Sequence, residues 1–302
     1  GCSFALLLPV SLNLETDFPG MNLHVAIKRL LPGFESRLLI RRAINFPRDT
    51  FDRVTGRRDP LIPPHGLWFV GGEEDYRSVN EEFLRYFIEL ANLQSDSGVL
   101  DVGCGIGVMA SRLTSYLGPN GAYAGFDIVR AGIDWATKNI SSRFPHFEFA
   151  HVDVYNKHYN PKGTLSPSSF RFPHEDGSFD LVFLKSVFTH LLPDAMQNYI
   201  AEIRRVLKPT GSALATLFLM NPESRELISA GKSSIALTQP FEGCFVMDTT
   251  FPETAVGIPE DEFMRWCSES RMSVVNPIHY GSWCGRKPFT SYQDIVILRR
   301  MP

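Results

Sequence analysis

No apolar run in this sequence approaches the roughly 20 residues that a membrane-spanning helix requires. Its five cysteines, at positions 2, 104, 244, 267 and 284, are odd in number and scattered. None forms a Cys-x-x-Cys pair, so neither a disulfide framework nor a zinc site is indicated, and a reducing, cytoplasmic setting fits. Positive charge is not in excess, with 30 Lys and Arg against 33 Asp and Glu and a net charge of -3. That balance argues against a general nucleic-acid binder. Metal-ligand spacing is missing too, and no metal is expected. Apolar mass is plentiful: 302 residues at 44% hydrophobic can bury a full core, organised as one domain with additions.

That domain is organised around residues 99–113. Val99, Leu100 and Val102 read as a short buried strand that runs into Gly103, Gly105 and Gly107 and then a helix over 108–117. The glycines allow a tight turn and leave no side chain between backbone and ligand. A dinucleotide site wants Gly-x-Gly-x-x-Gly, but the third glycine here comes one residue early and Val108 takes the expected place. Asp101, just before the first glycine, suits a cationic or amino-bearing ligand better than a pyrophosphate. Further strands are expected at 122–126, 147–152, 179–184 and 212–220, alternating with helical patterns, which implies a mostly parallel sheet. Asp101, Asp127 and Asp153 fall at or near the ends of consecutive strands, where such sheets bind ligands. Asp127 lies about where a ribose-binding acid belongs, roughly 20 residues past the glycines; capping the following helix is its alternative use.

The glycine turn, Asp127, Asp153, Phe179-Asp180-Leu-Val and Arg205-Val-Leu-Lys-Pro-Thr-Gly211 occur in the order and spacing of the class I S-adenosylmethionine (SAM) methyltransferases. The sequence resembles that family well over residues 75–220 and less tightly beyond. The resemblance implies a Rossmann-like α/β fold: a seven-stranded, mostly parallel sheet with helices on both faces and an antiparallel last strand. Residues 272–280 and 292–298 can fill the two closing strands. It also implies SAM as cofactor, with S-adenosylhomocysteine as product. Gly103, Gly105 and Gly107 would then surround the methionine part, with Asp101 near its ammonium. Asp127 would hold the ribose, Asp153 with Val154 the adenine, Ile128 would pack on the adenine face, and Lys185 would line the pocket through backbone contacts.

Residues 1–74 read as an extension and 75–302 as the methyltransferase domain, with a cap insertion at about 221–271 after strand five. Met21 is a candidate start, and Gly1-Cys2 with the apolar residues 4–10 alternatively reads as the remnant of a signal or lipoprotein segment. Leu23, Ile27, Leu30 and Leu31 fall at helical spacing. Residues 21–59 are basic, which fits either a helical appendage with its arginines in water or peripheral contact with an anionic membrane surface. Prolines and glycines mark 60–72 as a loop, and Ser78 with Glu81 reads as a capping box that opens the next helix. Trp68, Phe69 and Tyr76 either close over the ligand or anchor that loop, and the aromatics at 241–251 suit a lid or a satellite core.

A small-molecule acceptor is expected, most simply an oxygen, in a hydroxyl or carboxyl group; no Asn-Pro-Pro-Tyr signature follows strand four, which argues against amino-group methylation of nucleobases or glutamine. His190, just past that strand, is the candidate base, with packing as its other reading. His279 and Tyr280, at the end of strand six, are the next candidates in the pocket. Nitrogen or sulfur transfer, a SAM-binding protein without turnover, and a nicotinamide-dependent oxidoreductase are the competing classes. Oligomeric state leaves no mark in the sequence.

Overall fold

A computed structural model describes residues 33–73 and 76–302 of the protein. Met21 and the helical spacing at 23–31 lie outside the described residues. The first element is a 22-residue helix, α1 (Phe34–Thr55), followed by a single 3-10 turn at His65–Leu67 and by α2 (Tyr76–Glu89). Ser78 sits inside α2 rather than capping it, because the helix begins two residues before the expected box.

The core alternates strand and helix. β1 (Gly98–Val102) leads to α3 (Val108–Leu113), β2 (Ala122–Asp127) to α4 (Arg130–Ala136), and then comes β3 (Phe147–His151). β4 (Phe179–Leu184) leads to α5 (Pro193–Val206) and β5 (Leu207–Met220). Pro193 occupies the first turn of α5, where its missing N–H costs nothing. The chain closes with α6 (Pro222–Ser229), β6 (Gln239–Phe241), β7 (Cys244–Val246), β8 (Val256–Pro259), α7 (Glu260–Glu269), β9 (Met272–His279) and β10 (Asp294–Arg300).

The central sheet runs β3-β2-β1-β4-β5-β10-β9. Its first five strands pair in parallel, and β10 inserts antiparallel beside β5. This is the seven-stranded, Rossmann-like sheet with an antiparallel last strand. Successive residues of a strand face opposite sides. Leu100, Val182 and Ala213 pack under α5 and α7 with Met196, Ile200 and Phe263, while Val99, Leu181 and Leu214 pack under α2, α3 and α4 with Phe87, Leu113 and Ala136. Helices therefore cover both faces.

β5 outruns its partner. β10 pairs with it as far as Leu217, and Phe218–Met220 would otherwise leave an open edge of N–H and C=O groups. β8 pairs in parallel with those three residues, and β7 and β6 follow antiparallel. The insertion after strand five thus extends the sheet. Phe245 packs with Phe218 and Trp283 in a cluster of its own, and Phe241 lies against the main core.

Candidate functional site

A cavity of about 740 Å³ opens at the carboxyl ends of β1, β2 and β4. Its floor is the glycine turn. Gly103 and Cys104 both donate N–H bonds to the Phe126 carbonyl, at 2.9 and 3.1 Å, which fastens the turn to β2. Gly103 has φ +77°, and a Cβ there would come within 2.5 Å of Val187 Cγ2, so only glycine fits. Gly107, also left-handed, packs against Ala136 and Ile140 instead of lining the cavity. Its place is the junction of turn and helices, a departure from the sequence expectation that it faces the ligand.

Asp127 binds the two ligand-facing turns together. One carboxylate oxygen accepts from Gly105 N–H and the other from Val129 N–H, both at 2.8 Å. Burial raises its carboxyl pKa above the usual range, opposed by those N–H groups. Asp101 is buried and accepts 2.7 Å from the Tyr123 hydroxyl. Desolvation lifts it to about 7, against the pull of Tyr123 and Lys185. Lys185 is lowered to about 8, again chiefly by burial. Its ammonium lies 4.8 Å from the centre of the Phe83 ring and 3.4 Å from Asn80 Oδ1. Asn80 in turn donates 2.9 Å to the Val108 carbonyl. Lys185 thus presents its side chain, beyond the backbone role expected for it. Asn80 was not foreseen; a polar residue on the same stripe of α2 as Phe83 and Phe87 was the available signal.

Ile128 and Val154 also line the cavity, whereas Asp153 does not. The Asp153 carboxylate accepts from the Thr164 hydroxyl at 2.8 Å and from Asn160 Nδ2 at 3.1 Å, closing the loop that follows β3. The loop closure, and no cavity-lining contact, is what its carboxylate makes here.

The outer wall is aromatic. Trp68, Phe69, Tyr76 and Tyr159 line it. Trp68 packs against Tyr76 with ring centres 5.2 Å apart, and Phe34 of α1 touches both Phe69, at 5.3 Å, and Tyr159, at 5.2 Å. Asp49 of α1 staples the 65–66 backbone to the helix, accepting from His65 N–H at 2.8 Å and Gly66 N–H at 2.9 Å. A Cβ on Gly66 would stand 2.8 Å from Arg42 Cα. His65 is further held between Asp52 and Glu73.

His190 lines the cavity from the 3-10 turn after β4. Its Nδ1 lies 2.8 Å from the Glu253 carbonyl. A carbonyl can only accept, so Nδ1 carries the proton and Nε2 keeps its lone pair. Burial lowers the pKa of the ring below the ordinary histidine value, against those backbone contacts, and so favours the neutral form. Within the insertion after β5, Glu253 lines the cavity, with its carboxylate accepting 2.8 Å from Lys157 N–H. His279 and Tyr280 lie elsewhere. β9 is the edge strand, separated from β4 by β5 and β10, and the Tyr280 hydroxyl is spent 2.9 Å from Glu260.

Residues 99–211 match the family model described as a methyltransferase domain. A curated ubiquinone biosynthesis O-methyltransferase of Pasteurella multocida is 22% identical over 218 residues, covering 72% of this chain and 83% of that protein. A probable phthiotriol/phenolphthiotriol dimycocerosates methyltransferase of Mycobacterium ulcerans is 32% identical over 117 residues, 39% of this chain and 38% of that one. Among solved structures, the PH0226 protein of Pyrococcus horikoshii covers 82% of this chain and 98% of its own with a TM-score of 0.53, at 18% identity. That last likeness speaks to the fold. The family match favours methyl transfer over the dinucleotide reading.

Proposed function

We propose that this chain, a SAM-dependent methyltransferase, moves a methyl group to an oxygen of a small, largely apolar acceptor, with His190 as the base. The observation that carries the reading is the tautomer of His190: the Glu253 carbonyl holds the proton on Nδ1, which leaves Nε2 as an acceptor.

The cofactor half of the cavity fits SAM. Left-handed glycine backbone that no Cβ could replace supplies a cradle for the methionine part. A cation is welcome beside Asp101, whose buried carboxyl ionises more readily next to positive charge. Asp127 keeps acceptor capacity beyond its bonds to the backbone N–H groups, which a ribose hydroxyl can use. Ile128 and Val154 offer apolar surface to the adenine. Bound there, SAM supplies an electrophilic methyl group on a sulfonium. The protein aligns the acceptor, excludes water with the wall of Trp68, Phe69 and Tyr159, and receives the acceptor's hydroxyl proton on His190 Nε2. The protonated ring stays oriented through Nδ1.

The apolar wall supports an acceptor of lipid-like character. One curated relative is named for ubiquinone biosynthesis and another for phthiotriol/phenolphthiotriol dimycocerosates.

His190→Ala should cut turnover by roughly 10²–10⁴ while SAM affinity, read by calorimetry, stays nearly unchanged. Labelled methyl transfer to a panel of alkylphenols, alkanols, fatty acids, alkylamines and alkanethiols reads out the accepting atom. Full turnover in the variant would remove the base and point to an amine, a thiol or an already ionised acid.

A further inference from the structure

The outward face of α1 matches nothing in the body of the protein. Helical residues advance by roughly 100° each, so neighbours on one face are three or four apart. Phe34, Leu38, Asn45, Asp49 and Asp52 share the inner face; Phe34 and Leu38 are buried, and both acids are engaged with His65 or its backbone. The opposite face carries Leu39, Ile44, Phe46 and Val54, exposed by 63%, 72%, 66% and 81%, with Ile40 and Phe51 beside them. Arg37, Arg41 and Arg48 border this stripe on one side, and Arg42 and Arg53 on the other, by the same spacing. Between residues 34 and 58 the chain has seven arginines against three acids, in a protein of net charge -3.

An apolar stripe edged on both sides by cations is the pattern of a helix that lies in the plane of a lipid surface. No helix among the described residues is long and apolar enough to cross a membrane. We infer that α1 docks the protein on an anionic lipid surface, its apolar stripe among the acyl chains and its arginines among the headgroup phosphates. Charge selects this occupant over two others. A second copy that presented the same face in a two-fold dimer would set arginine against arginine. Residues 1–32 contain Lys28 and Arg29 beside Glu15 and Asp17, so they bring no surplus of acid to answer the arginines.

The inference rests on the proposed function for its purpose. Phe34, at the start of α1, packs on Phe69 and Tyr159 of the cavity wall. A docked α1 holds that wall at the surface, where an apolar acceptor is dissolved.

The test is co-sedimentation of the full chain with phosphatidylcholine vesicles, with and without phosphatidylglycerol. Binding should require phosphatidylglycerol and weaken as sodium chloride is raised. The double variant Phe46→Ser with Val54→Ser removes two of the most exposed apolar side chains of the stripe, and should weaken binding by roughly tenfold or more. Methyl transfer to a water-soluble acceptor should be unchanged in that variant. Absence of binding at low ionic strength, or equal binding by the variant, overturns the inference. So does a dimer in analytical ultracentrifugation that the double variant dissociates, or vesicle binding gained only after removal of residues 1–32. Vesicle binding is read without turnover, so a failure here leaves the His190 result untouched.

Discussion

The two walls of the cavity are built on opposite principles. The inner wall, at the ends of β1, β2 and β4, is polar, and each of its groups is fixed by neighbours: Asp127 by two backbone N–H groups, Asp101 by Tyr123, and Lys185 by Asn80 and Phe83. The outer wall is aromatic, built from Trp68, Phe69, Tyr76 and Tyr159, and His190 and Glu253 reach the cavity from the turn after β4 and the insertion after β5. Fixed polar groups recognise one ligand by direction and charge. An apolar wall recognises by shape, and so tolerates change.

The contrast breaks most sharply at Asp127, after the loss expected for His190. Asp127→Ala removes the acceptor of the Gly105 and Val129 N–H groups, along with the ribose bonds proposed for it. Bonds to charged groups are worth about 1.5–3 kcal/mol. SAM affinity should therefore fall by roughly 10–100-fold in calorimetry, with a lower melting temperature. Unchanged affinity would take Asp127 out of the site and make the inner wall as tolerant as the outer.

A smaller effect sharpens the electrostatic half. With Asp101 raised to about 7, a cationic ligand should bind more tightly as pH rises through that value, and the gain should level off above it. Asp101→Asn should flatten the profile. The same raised pKa acts on stability with the opposite sign. The folded state binds the proton more tightly than the unfolded, so this contribution is full below the ordinary carboxylate range and is lost as pH rises towards 7. A urea titration at several pH values measures it.

The least effect belongs to the outer wall. Phe69→Leu should cost less than about 1.5 kcal/mol of stability, leave SAM affinity alone, and alter KM for the acceptor. A large loss of SAM affinity in that variant would join the two walls into one site.

The same division explains what the sequence made legible. β4 occupies the expected 179–184, and β2 ends at Asp127, because buried parallel strands are continuous apolar runs closed by polar residues. The glycine turn stood out because its left-handed backbone strains any other residue. α3 stops at Leu113, four residues short of expectation, in a tighter turn in which the Tyr116 N–H reaches the Leu113 carbonyl. Local spacing does not record that difference. Nor does it record which strand edge remains open. The β6–β8 extension answers the overhang of β5 beyond β10, a fact about distant pairing. Asp153 and Tyr280 stand outside the cavity lining for a similar reason. Their carboxylate and hydroxyl bond Thr164 and Glu260, partners that strand-end position alone cannot reveal.

The Asp49 staple has a kinetic consequence. Its two bonds to the 65–66 backbone, and the close seat of Gly66 on Arg42, leave the mouth segment no independent freedom from α1. A free surface loop would fluctuate in nanoseconds to microseconds, whereas collective shifts of a packed helix belong to roughly microseconds to milliseconds. If the mouth segment moves with α1, admission at this side should follow the slower motion of a 22-residue helix and not that of a free loop.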